Sequence, residues 1–69
     1  RRLSAPAVTQ KAIWVADEDG AVYLLDPSNG QLLNRVFMDS GELAAPPVVR
    51  QDTVLMVSRG GTVRAWRAP

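Results

Sequence analysis

Three consecutive acids, Asp17, Glu18 and Asp19, stand directly before Gly20 and are the residues of this chain best suited to chemistry. Their carboxylates are oxygen ligands of the kind that Ca²⁺ prefers, but Ca²⁺ takes about six to eight oxygens, and no second cluster of oxygen ligands accompanies the run. The Asp-Gly pair is also a strong signal for a tight hairpin turn. We therefore interpret the acids as a solvated hairpin tip and expect no metal site.

A second candidate is Arg59, which precedes Gly60 and Gly61 in another predicted turn. The glycine pair is not a phosphate-binding loop, because no Gly-x-Gly-x-x-Gly or Walker pattern leads into a helix. Exposed turns of a rigid scaffold do carry binding residues. The predicted partner-binding residues are Asp17, Glu18, Asp19 and Arg59, and no catalytic residue is predicted. Trp14 and Trp66 lie inside apolar runs, which favours core packing over a role as binding hot spots.

Composition disfavours several classes of partner. The 69 residues carry 8 basic and 7 acidic side chains, which are interspersed and give a net charge of +1, so no strong field attracts nucleic acid or an anionic membrane surface.

The chain has no Cys and no His, hence neither a disulfide nor an imidazole ligand to stabilise a core this small. No apolar run approaches membrane-spanning length. The start Arg1-Arg2-Leu3 lacks the apolar stretch of a signal peptide, so we expect any targeting segment upstream.

An internal repeat is the strongest signal for the architecture. Residues 4–27 align without a gap on residues 45–68, at an offset of 41. The identical pairs include Pro6 and Pro47, Val8 and Val49, Gln10 and Gln51, Gly20 and Gly61, and Val22 and Val63. One such unit cannot bury its own faces, so we expect further copies, in the parent chain or in other subunits, to cover them. The chain alone is not expected to persist as a folded monomer.

Each copy contains apolar runs of strand length, rich in β-branched and aromatic residues. Asp-Gly and Pro-Ser-Asn-Gly turns separate the runs of the first copy, and Arg59-Gly60-Gly61 separates those of the second. Such near-continuous apolar strands are typical of sheets covered on both faces. We predict an all-β fragment of a β-propeller: a four-stranded antiparallel blade over residues 1–41 and an incomplete terminal blade over 42–69. Two unrelated hairpins in a small barrel would not require the aligned repeat. The predicted strands are 7–9, 12–17, 21–26, 31–37, 47–50, 53–58 and 62–67.

The repeat resembles that of PQQ-type β-propellers. The residues that carry the resemblance are Ala5-Pro6-Ala7-Val8, the Asp-Gly-Ala-Val-Tyr-Leu-Leu-Asp run over 19–26, and Asn29-Gly30-Gln31-Leu32-Leu33. The family repeat closes on a Trp, whereas Asn34 stands near that position here. The resemblance therefore does not extend to the Trp-docked geometry of the quinoprotein dehydrogenases.

Among these propellers, the chain is similar to the periplasmic lipoproteins of the outer-membrane β-barrel assembly machinery. The matching residues are Asp39-Ser40-Gly41, Pro47-Val48-Val49 and Gly61-Thr62-Val63-Arg64. This resemblance implies a non-catalytic scaffold for protein–protein interaction on the periplasmic side of the bacterial outer membrane. The implied partner is an outer-membrane assembly component, with no PQQ or other cofactor, no nucleic acid, and membrane contact only through an upstream lipid anchor if one is present. It also implies that a strand from a distant N-terminus completes the last blade.

Two alternatives stay open at this point. The chain could be a peripheral blade of a PQQ-dependent dehydrogenase. In that case the other blades would contain a cofactor-lining Trp and a Glu/Asn/Asp set that binds Ca²⁺. It could also belong to another interaction propeller with PQQ-like repeats. A cytosolic WD-type propeller is disfavoured, because neither copy ends in Trp-Asp or contains Gly-His.

The order of the turns predicts which of them lie together. In a meander of antiparallel strands, alternate turns emerge on the same side, so the tips at 17–19 and 59–60 should share a rim with the bend at 39–42. The opposite, more neutral rim should carry 10–11, 27–29 and 51–52. We predict that a partner docks on the first of these rims, where most of the loop charge lies.

Overall fold

The fold is described by a computed structural model that covers residues 2–39 and 41–67. Ser40, in the predicted bend at 39–42, lies outside the described residues. The strands are β1 (Ala7–Val8), β2 (Ile13–Ala16), β3 (Ala21–Leu25), β4 (Leu32–Phe37), β5 (Val48–Arg50), β6 (Thr53–Val57) and β7 (Val63–Arg67). In the described part of the chain, no helix is long and apolar enough to cross a membrane.

The strands form two antiparallel sheets in chain order, a first sheet of β1-β2-β3-β4 and a second sheet of β5-β6-β7. This is the all-β architecture that the sequence predicts, and every observed strand lies inside a predicted range. A bulge at Leu24 and Leu25 shifts the pairing of β3 with β4. The division at residue 41 into a complete blade and an incomplete terminal blade stays a prediction.

The two sheets repeat each other in register as well as in order. Trp14 pairs with Leu24 across β2 and β3, and Leu55 pairs with Ala65 across β6 and β7. Each residue of the second pair stands 41 positions after its counterpart in the first. Residues that correspond in the repeat therefore point to corresponding faces of their sheets, because the side-chain direction in a strand follows the pairing register.

The repeat loses its constant offset just before each sheet. The amide of Ser4 donates to the carbonyl of Ala16, and the amide of Ala44 donates to that of Val57. The donors are 40 residues apart, whereas the acceptors are 41 apart. The second unit thus holds one extra residue between this hydrogen bond and its first strand, in the segment Ala45-Pro46-Pro47. The ungapped sequence alignment does not detect this insertion, because both segments contain Ala and Pro.

The core lies between the two sheets. Trp14 is buried, its ring centroid is 6.0 Å from that of Trp66, and its indole N–H donates to the Thr9 hydroxyl at 3.4 Å. Trp66 is partly buried and packs against the same cluster. Both tryptophans therefore serve the core, as the sequence predicts. The buried members of the cluster are Ala7, Ala12, Trp14, Ala16, Val22, Leu24, Met38, Val54 and Met56.

Gly20 lies where the segment that leaves the first sheet passes the hairpin between β2 and β3. Its φ is 94°, and a β-carbon at this position would overlap the carbonyl oxygen of Asp39. The Met38 amide donates to the Gly20 carbonyl at 2.8 Å. Only glycine satisfies both the backbone angle and the close approach. The contact holds the exit segment against the hairpin, next to the predicted rim.

Candidate partner-binding rim

Asp17 is buried inside its hairpin, with 3% of its surface exposed. Its Oδ1 accepts hydrogen bonds from the amides of Asp19 at 2.9 Å and Ala21 at 3.0 Å, and its Oδ2 accepts one from the Tyr23 hydroxyl at 2.8 Å. A side-chain oxygen that accepts from nearby amides shapes the turn from within. The prediction of a fully solvated acidic tip is therefore wrong at Asp17, because the turn itself uses this carboxylate.

The second hairpin, between β6 and β7, obtains its carboxylate from outside. Ser58 stands at the position equivalent to Asp17, is buried, and accepts a hydrogen bond from the Thr62 amide at 3.1 Å. The hydroxyls of Ser58 and Thr62 both donate to Asp39 Oδ2, at 2.9 and 2.7 Å. Asp39 thereby attaches the second hairpin to the segment that leaves the first sheet. Since that segment also contacts the first hairpin at Gly20, the positions of the two hairpin tips are fixed relative to each other.

The charged side chains at this end of the sheets line one depression and are called here the charged rim: Arg2, Glu18, Asp19, Glu42 and Arg59. Arg2 Nη2 donates to Glu42 Oε1 at 2.9 Å, and Arg2 Nε lies 3.7 Å from Glu18 Oε1. Arg59 Nε lies 3.2 Å from Glu42 Oε2. Exposed ion pairs of this kind contribute little to stability, so these side chains can exchange partners at low cost.

The structure brings three of the predicted partner-binding residues together. Glu18, Asp19 and Arg59 line one shallow depression, and the shared rim predicted for the two tips and the bend is confirmed for the residues that the structure describes. Arg2 and Glu42 also belong to the cluster. Sequence reasoning did not select these two as binding residues, because their position beside the tips comes from the way the segments entering each sheet pack.

A groove of about 290 Å³ opens beside the charged rim, between the segments that enter the two sheets. Its walls are residues 2–5 and 42–46, and Ala16 and Asp17 line it between them. Each wall is attached to a hairpin by an isolated antiparallel bridge, from Leu3 to Asp17 and from Leu43 to Ser58. Apolar walls with charges at the mouth are typical of a surface that contacts protein.

The opposite rim has fewer charged side chains, and one of them, Asp26, is hydrogen-bonded within its own turn. The Asp26 carboxylate accepts hydrogen bonds from the hydroxyl of Ser28 at 2.7 Å and from its amide at 2.8 Å. These bonds favour the charged form and hold the pKa of Asp26 below its ordinary value of 3.8. Across residues 2–39 and 41–67, no group of three or more acidic, His or Cys side chains could hold a metal ion.

Comparison with known proteins gives a consistent result. No protein-family model matches the chain. The outer membrane protein assembly factor BamB of Bordetella pertussis is 35% identical over 99% of the chain, and that of Aliivibrio fischeri is 30% identical over 97%. The crystal structure of BamB from Moraxella catarrhalis matches 97% of the chain with a TM-score of 0.85 and 28% identity. The chain is BamB-like in sequence and in fold.

The match confirms the resemblance predicted from the blade motifs. It runs through both sheets, so the charged rim and the groove lie on a backbone that BamB shares. The chain spans 18% and 17% of the length of the two BamB sequences and 19% of the solved BamB chain. The similarity therefore concerns a small part of BamB.

Proposed function

We propose that this chain is part of a non-catalytic β-propeller that binds a protein component of outer-membrane protein assembly on the periplasmic side of the outer membrane. The observation that carries this proposal is the similarity to BamB over nearly the whole chain, in sequence and in backbone. The proposal includes no cofactor and no nucleic acid, and membrane contact only through a lipid anchor upstream if one is present. The same similarity favours a scaffold over a dehydrogenase blade.

Within this role, the charged rim is the proposed docking surface. The side chains of Arg2 and Arg59 are 75% and 70% exposed, and that of Glu18 is 42% exposed, so a partner can reach them. The hairpin tips that carry Glu18 and Arg59 are already held by Asp17 and Asp39, which lowers the entropy lost on binding. Acids outnumber bases in the rim, so the matching surface of the partner should be basic.

The test is surface plasmon resonance with the purified outer-membrane assembly complex on the sensor. In the full-length protein, the double variant Glu18→Lys/Asp19→Lys should associate about tenfold more slowly than the unchanged protein at low salt, and the difference should shrink as salt rises. The control, Lys11→Glu/Asp52→Lys, reverses two charges on the opposite rim without a change in net charge and should keep the original association rate. Circular dichroism verifies that both variants stay folded, since substitutions in exposed turns usually cost little stability.

Two results contradict this proposal. Unchanged association of the rim variant, together with slow association of the control variant, would assign docking to the opposite rim. Unchanged association of both variants would place partner contact outside this part of the propeller.

A further inference from the structure

The walls of the groove beside the charged rim are held in place by hydrogen bonds to the sheets. The Ser4 amide donates to the Ala16 carbonyl at 2.7 Å, and the Ser4 hydroxyl accepts from the Ala16 amide at 3.0 Å. The other wall is attached similarly, since the Ala44 amide donates to the Val57 carbonyl at 2.8 Å. The groove is thus formed before a partner arrives, which lowers the cost of ordering on binding.

The groove lies at one end of the sheets and not on their faces. Its walls, residues 2–5 and 42–46, lead into the first and the second sheet. In a propeller, further blades pack on the outer faces of such sheets, so a blade on either side does not cover the space between these two entry segments. The apolar side chains of the walls are accessible: Leu3 is 60% exposed, and Ala5 and Ala45 are exposed as well.

The size of the groove restricts what can enter it. Its volume is about 290 Å³, whereas an α-helix with its side chains is about 10–12 Å in diameter, so a helix does not fit between the walls. Each wall is a short run of consecutive residues. This shape suits a short extended segment that inserts one or two side chains.

The mouth of the groove carries two glutamates that converge on one guanidinium. Glu42 Oε1 accepts a hydrogen bond from Arg2 Nη2 at 2.9 Å, and Glu18 Oε1 lies 3.7 Å from Arg2 Nε. The Arg2 side chain is 75% exposed, and exposed ion pairs of this kind are weak. A basic side chain of a partner can therefore replace Arg2 between the same two carboxylates.

We infer that the groove binds an extended protein segment with an apolar and a basic residue two positions apart. The apolar side chain enters between the walls, and the basic one takes the place of Arg2 between Glu18 and Glu42. In an extended chain alternate side chains emerge on the same side, so this spacing directs both of them to the groove. The inference rests on the proposed function and adds the form of the partner: a short extended segment docks beside the charged rim.

The first test uses the full-length protein and the purified assembly complex in surface plasmon resonance. Ala5→Phe and Ala45→Phe fill the groove and keep every charge of the rim. Association at low salt should therefore stay within about twofold, whereas dissociation should become about tenfold faster. The matched control, Gln10→Phe, adds the same ring on the opposite rim and should change neither rate. Circular dichroism verifies that the three variants are folded.

This test separates the groove from the rim. Unchanged dissociation of both groove variants, together with slow association of Glu18→Lys/Asp19→Lys, would overturn the inference and leave the proposed function intact. Unchanged kinetics in all of these variants would contradict the proposed function as well.

The second test needs no assembly complex. The capped peptide Ala-Leu-Ala-Arg-Ala should bind the full-length protein with a dissociation constant of about 1 mM, followed by NMR of the alanine methyl groups. Peptides with Ser in place of Leu, or with Gln in place of Arg, should bind clearly more weakly. Arg2→Gln should tighten binding more than Arg59→Gln, which removes the same charge from the rim but not from the groove. Equal binding of the three peptides, or no binding of the first, would overturn the inference.

Discussion

The Asp39 carboxylate and the Thr62 hydroxyl form a 2.7 Å hydrogen bond that joins the exit of the first sheet to the hairpin of the second. The first hairpin obtains the corresponding carboxylate from its own Asp17. Each hairpin thus has a carboxylate that accepts its hydrogen bonds. In the first unit this carboxylate belongs to the hairpin itself, and in the second it belongs to a distant residue. The second arrangement fixes the two hairpin tips relative to each other, which is the geometry on which the charged rim depends.

Removal of the Asp39 carboxylate should destabilise the chain. Asp39→Ala leaves the hydroxyls of Ser58 and Thr62 without this charged acceptor, and we expect the free energy of unfolding to fall by about 2–3 kcal/mol. Asp39→Asn, which retains one acceptor oxygen, should cost less. The matched control is Asp52→Ala in an exposed turn, with an effect within about 0.5 kcal/mol. Urea unfolding at one fixed chain concentration measures all three, and equal losses for Asp39→Ala and Asp52→Ala would contradict the role of Asp39.

The two hairpin glycines should differ in their tolerance of alanine. Gly20 and Gly61 have φ angles of 94° and 95°, so alanine meets the same backbone strain at both, of the order of 1–3 kcal/mol. Only Gly20→Ala also overlaps the Asp39 carbonyl, because the space around Gly61 is open. We therefore expect Gly20→Ala to lower the urea midpoint clearly more than Gly61→Ala does. Similar midpoints for the two variants would show that the close approach at Gly20 is relieved without cost.

Asp17 and Glu18 are neighbours in sequence and should behave differently. Asp17→Ala removes a buried acceptor of the Ala21 amide and the Tyr23 hydroxyl, so we expect a loss of about 2–3 kcal/mol in the free energy of unfolding. Glu18→Ala removes an exposed ion pair with Arg2 and a long, exposed hydrogen bond from the Arg2 amide, and should cost at most about 1 kcal/mol. Thermal and urea unfolding compare the two. If Asp17→Ala were as mild as Glu18→Ala, the hydrogen bonds of Asp17 would be replaceable by water.

The Ser28 hydroxyl should control the titration of Asp26. The folded-state pKa lies below the ordinary value of 3.8, so the stabilisation is present above the unfolded-state pKa and is lost as the pH falls through the folded-state pKa. Ser28→Ala removes the hydroxyl donor but keeps the amide donor, and should move the pKa of Asp26 part of the way back up. Asn29→Ala, which keeps the backbone amide of residue 29, is the control and should leave the titration unchanged. NMR titration of the Asp26 carboxyl carbon measures both variants, and an unmoved midpoint in Ser28→Ala would assign the shift to the backbone alone.

The strands, their antiparallel order and the blade-like repeat could all be predicted from the sequence. These features are local: apolar runs of strand length, turn residues such as Asp19-Gly20, and an offset of 41 residues are all readable without knowledge of contacts between distant segments. The shared rim also followed from the sequence, because the side on which a turn emerges depends only on the parity of the turns in a meander.

The division of the charged residues between those that face solvent and those that stabilise the fold depends on tertiary packing and could not be predicted from the sequence. Asp17 and Glu18 are adjacent acids in one turn, yet one is buried and the other exposed. The link from Asp39 to Ser58 and the place of Arg2 beside Glu42 depend on segments that are 19 and 40 residues apart in the chain. The extra residue at Ala45-Pro46-Pro47 was likewise visible only from hydrogen bonds. Turn chemistry is encoded locally, but the burial of a side chain and the partner of a charge depend on how distant segments pack.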